Sequence, residues 1–122
     1  MYVGMARITL VIAHAHSLKE KRMVLRRIRD RVRERAHVTI NEVGAQDVWQ
    51  RAELGCAVAS GDRQQALELL DVVVKIVAGC EGAEISGIAK DATTFDKSVD
   101  AVAIKPATDD DQWIPDEWKA EL

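Results

Sequence analysis

The side chains with the clearest chemical potential are cations. Nine basic residues fall between Ser17 and Arg35: Lys19, Lys21, Arg22, Arg26, Arg27, Arg29, Arg31, Arg33 and Arg35. Only Glu20, Asp30 and Glu34 oppose them there, which leaves an excess of six positive charges. At helical spacing Lys19, Arg22, Arg26, Arg29 and Arg33 project within about 80° of one another. A guanidinium presents a planar fork that matches phosphate oxygens. A row of five over successive turns can track a nucleic-acid backbone. Two other readings compete: a solvated helix face laced with ion pairs, and a surface that docks an acidic protein. Lys19 and Lys21 stand in the first turn, where the helix dipole disfavours cations. That end also offers free N–H groups to a phosphate. The two lysines therefore either begin an anion site or carry a small cost without meaning.

Other reactive side chains are sparse. Trp49 and Arg51 together could stack on a base and hold a phosphate. The plainer expectation is that Trp49 covers the edge of the core and Arg51 pairs with Glu53 or Asp47. His14, His16 and His37 could make a three-histidine metal site. No carboxylate or cysteine stands at a ligand-like spacing beside them, so polar loop residues are expected. The sequence has no glycine-rich phosphate loop, no nucleophile elbow and no paired-cysteine motif. Cys56 alternates onto an apolar strand face and is expected to pack as a small hydrophobe. Cys80 follows a helix end and has no clear partner. The expectation is a protein that is not an enzyme, with no cofactor and no bound metal.

These side chains need a scaffold, and the hydrophobic pattern supplies one. Residues 2–12 alternate as a half-buried strand, with Ala6, Ile8, Leu10 and Ile12 on one face. Ser17 and Glu20 have the spacing of a capping box that opens a helix. Leu18, Val24, Leu25, Ile28, Val32 and Ala36 form its apolar stripe. A second strand is expected over 37–43, with Val38 and Ile40 buried. A third runs over 50–60, with Ala52, Leu54, Cys56 and Val58 inward. The short connection between them makes an antiparallel hairpin. Asp62 caps a second helix, whose buried stripe is Ala66, Leu69, Leu70, Val73, Ile76 and Val77, and Gly79 stops it. A fourth strand is expected over 83–90, around Ile85 and Ile88. The β-α-β-β-α-β order predicts an α+β ferredoxin-like sandwich, a four-stranded antiparallel sheet with two helices on one face.

The outer sheet face would carry Arg7, Thr9, Glu53, Gly55 and Ala57. RNA-recognition-motif domains of this topology stack bases on exposed aromatics of that face. None stands here, so the face suits sheet-to-sheet packing in a homo-oligomer instead.

The whole chain is 122 residues with 48% hydrophobic and only 4% aromatic side chains, so an aliphatic core in one domain is expected. No apolar run reaches the roughly 20 residues of a membrane span. Two cysteines are too few for a disulfide scaffold, and no signal peptide is read, so the expected compartment is the cytoplasm. The net charge of −3 hides a division. Residues 91–122 carry nine acids against three lysines. They read as an acidic, partly ordered extension of a domain spanning 1–90. Val99–Ile104 could add a short strand, and Trp113 and Trp118 could dock. An acidic tail of this kind either folds back on the basic helix or serves solubility.

Two stretches carry a family resemblance. His16-Ser17-Leu18-Lys19-Glu20-Lys21-Arg22 is followed by Asn41-Glu42-Val43 and by Asp47-Val48-Trp49-Gln50-Arg51-Ala52-Glu53-Leu54-Gly55, with Val58-Ala59-Ser60 beyond. Together they resemble the bacterial YlxP-like family, domain of unknown function 503, over about residues 1–90. The resemblance implies a ferredoxin-like fold. It also implies an uncharacterised role, near translation initiation and ribosome-binding factors by gene neighbourhood. It assigns no catalytic residues and is silent about 91–122. The leading expectation is a small cytoplasmic protein that binds RNA or the ribosome. Lys19, Lys21, Arg22, Arg26, Arg29, Arg33 and Arg51 are its expected contacts. The alternative is a homo-oligomeric interaction module that binds no nucleic acid.

Overall fold

The computed structural model describes residues 1–96. The elements are β1 (Tyr2–Val11), α1 (Leu18–Ala36), β2 (Asn41–Gly44), β3 (Arg51–Ser60), α2 (Arg63–Ala78) and β4 (Glu84–Thr94). The strands form one antiparallel sheet in the order β2-β3-β1-β4. This is the expected ferredoxin-like α+β arrangement. Long β1 sits centrally, paired along its whole length with β3 on one side and β4 on the other.

Each helix starts where a side chain satisfies its free N–H groups. The Ser17 hydroxyl accepts from the Glu20 N–H at 3.2 Å. Glu20 returns its carboxylate to the His16 N–H, one residue before the cap. The Asp62 carboxylate accepts from the Gln64 N–H at 3.0 Å and opens α2. Gln65 does not complete a box there, because it takes the Ser60 hydroxyl instead. The core is aliphatic: Ala6, Ile8, Leu10 and Ile12 from β1, Ala52, Leu54 and Val58 from β3, with Val24, Leu25, Ile28 and Val32 of α1 above. Ala66, Leu70, Val73 and Val77 of α2 close the same layer. Leu69 and Ile76 flank that stripe half-buried.

Two strand boundaries differ from expectation. His37 belongs to the end of α1, not to a strand: at φ 56° it takes the left-handed turn and donates its N–H to Arg33 O. Val38 and Ile40 are buried as expected, although the paired strand starts only at Asn41. At the other end β4 runs on to Thr94, because β1 offers it partners as far as Tyr2. Asp91–Thr94 are therefore part of the sheet, across the division expected at 90. The expected strand over Val99–Ile104 and the two C-terminal tryptophans lie outside the described residues.

Candidate functional site

The helical phase of α1 sorts its charges. The apolar stripe faces the sheet. Arg27 and Arg31 flank it on the side of the α2–β4 turn, where they line a cavity of about 220 Å³ with Gly79, Cys80 and Glu81. The acids Glu20, Asp30 and Glu34 lie on that same side or at the outer pole by helical phase. Lys19, Arg22, Arg26, Arg29 and Arg33 occupy the opposite flank with no acid among them. Four of the five are exposed and Arg29 is half-buried. The ion pairs found among the described residues are Lys21–Glu42, Arg51–Glu53 and Lys90–Asp71. None involves the five-residue row. Unneutralised like charges on one helix repel and cost stability. They also raise a local positive potential that the net charge conceals.

Two of the expected contacts, Lys21 and Arg51, lie apart from this row. Lys21 is a correction: it is 1% exposed, so its ammonium is turned into the interior and not toward a ligand in solvent. Its Nζ lies 2.7 Å from Glu42 Oε2 and donates to Ala45 O at 2.7 Å. Glu42 Oε2 is not aligned to accept a hydrogen bond, so the Glu42 contact is a close ion pair and the Ala45 contact a true hydrogen bond. Burial requires such partners, since an uncompensated ammonium in the interior is costly. A signal for this was present in the sequence. Position 21 lies seven before Ile28 and three before Val24, at the middle of the apolar stripe. Its acceptors, from beyond α1, gave no local signal.

Arg51 lies on a different surface from the row. β3 alternates, with Ala52 and Leu54 inward, so Arg51 points to the outer sheet face opposite Val11. It sits 3.4 Å from Glu53 and is 58% exposed. The sheet therefore separates it from the α1 row. The expected pairing of Arg51 with Glu53 is the one found. Trp49, by contrast, does not seal the core: it is 51% exposed.

The remaining candidates are also placed. His14 and His16 precede α1 and His37 ends it, about 28 Å of helix away. That distance separates the three-histidine set, and no metal-like cluster occurs among the described residues. Cys80 is buried, with its thiol donating to Ile76 O at 3.2 Å. Cys56 is half-buried, and desolvation pushes its thiol above the ordinary range, against a smaller opposing effect of a backbone hydrogen bond at Ala6. No helix among the described residues is long and apolar enough to cross a membrane.

Fold and charge together define an α+β ferredoxin-like domain whose first helix bears a one-sided basic flank. The family described as "Protein of unknown function (DUF503)" matches residues 3–90, and the chain belongs to that family. It is 43% identical over 75 residues to "Uncharacterized protein YlxP" of Bacillus subtilis (strain 168). That match spans 62% of this chain and 82% of the relative.

Proposed function

We propose that this protein is a cytoplasmic RNA-binding factor that meets free or ribosomal RNA through the flank of α1. It acts by binding, not catalysis. The observation that carries this reading is the segregation of Lys19, Arg22, Arg26, Arg29 and Arg33 on one flank, without an ion-pair partner among the described residues. Guanidinium groups spaced along a rigid helix match a phosphate backbone better than isolated cations do.

Five phosphate contacts give a slope of about −4 for log affinity against log salt. In Arg26→Glu/Arg29→Glu, affinity for an RNA hairpin should fall at least tenfold and the slope should become shallower by about two units. Fluorescence anisotropy across a salt series measures both. The same affinity and slope in the double variant would reject the proposal.

One observation favours a second reading, a homo-oligomer packed through the outer sheet face. Met5, Val11 and Val43 are exposed there among small residues such as Gly55, Ala57 and Ala89. Light scattering at micromolar concentration should then return a mass above 13.5 kDa per particle. A monomer would remove this reading and leave the first untouched.

A further inference from the structure

Trp49 is held out into solvent by a loop with unusually firm attachments. The loop between β2 and β3 begins at Ala45, which adopts φ 56°, and closes a turn through the Val48 N–H to Ala45 O at 3.1 Å. The buried Lys21 ammonium donates to the same Ala45 carbonyl, tying the turn to the first part of α1. On its far side the Ile12 N–H donates to Gln50 O at 2.8 Å. The Gln50 side-chain amide reaches Ala13 O and Ala15 O at 3.3 and 3.4 Å. Trp49 stands between these anchors, half of its surface exposed. With Asp47, Val48 and Gln50 it lines a shallow concavity of about 490 Å³.

An exposed indole forgoes the large apolar burial that a tryptophan normally gains. Its loop is nevertheless fixed by a buried charge, which is the arrangement of a preorganised contact. The Lys21 contact ties the loop to the first turn of α1, the turn that also contains Lys19, the first cation of the basic row. Asp47 on the rim repels phosphate. A strand arriving there from the row thus offers the concavity a base, not its backbone. We infer that Trp49 is a stacking platform for an unpaired base, at the end of the phosphate-binding row of α1. The inference rests on the RNA-binding reading and specifies it: the ligand carries a single-stranded loop or end. Stacking of a base on an aromatic ring tolerates any sequence, because every base has a π face. Selection here is for unpaired nucleotides.

The test compares two 12-nucleotide single strands, oligoadenylate and an abasic strand of equal charge, on the full chain. Trp49→Ala should weaken oligoadenylate binding about tenfold while leaving the salt slope and the abasic strand's affinity unchanged. Trp49→Phe, which keeps an aromatic face, should retain most of the affinity. Equal losses on both strands, or no loss on oligoadenylate, would overturn the stacking role while the α1 reading stands. Failure of the wild type to bind either strand would overturn this inference, while the α1 reading is decided separately by the hairpin salt series.

Discussion

Replacing Lys21 by alanine is expected to destabilise the protein by about 2–4 kcal/mol, the largest effect of any charged residue considered. The side chain is almost wholly enclosed, and its ammonium joins three elements: α1, the Glu42 carboxylate of β2 and the Ala45 carbonyl. Truncation removes the packed methylene stem, leaves the Ala45 carbonyl without that donor and leaves Glu42 uncompensated. Glu42 keeps 22% of its side chain exposed, so water recovers part of its solvation. The loss therefore falls below that of a fully enclosed pair. Thermal unfolding should show a midpoint lowered by about 10 °C. Lys21→Met/Glu42→Leu should recover most of it, since replacing both ions of a buried pair by apolar groups is often near neutral. A midpoint within 2 °C of wild type for Lys21→Ala, on the order of 0.5 kcal/mol, would show that the strap is dispensable.

A comparable loss is expected for Leu70→Ala, about 3 kcal/mol in urea denaturation. Leu70 is fully buried on α2 and lies against β1 where Gly4 has no side chain. A Cβ built on Gly4 would stand 3.1 Å from both Leu70 Cδ1 and Val58 Cγ2, and 3.4 Å from Ala66 Cβ. The helix approaches the strand closely because that carbon is missing. Gly4→Ala alone should therefore cost about 1 kcal/mol through overpacking. In the Leu70→Ala background the same methyl enters the vacated space, and the double variant should regain about 1 kcal/mol. Simple additivity of the two losses would mean that Leu70 is not the group closing over Gly4.

Much of this architecture is legible without coordinates. The aliphatic stripes at helical spacing in α1 and α2 and the period-two alternation of β1 and β3 name both the elements and their buried faces. Local hydrogen bonding marks the helix starts, because a Ser17 or Asp62 side chain satisfies N–H groups only two or three residues away. The basic row is legible for the same reason: helical phase alone puts Lys19, Arg22, Arg26, Arg29 and Arg33 on one flank. The ends of strands are less legible. A strand stops where its neighbour stops offering partners, as β4 does opposite Tyr2, and that neighbour is remote in sequence.

By itself, then, the chain's order of residues determined the β-α-β-β-α-β plan, the aliphatic core and the one-sided charge of α1, all consequences of short-range periodicity. Tertiary structure alone decided which cations are available. It placed Lys21 in the interior against Glu42 and Ala45, put Arg51 across the sheet from the α1 row, and held Trp49 outward on an anchored loop. Burial and ion pairing depend on groups brought together from distant positions, and a helical phase contains no term for them.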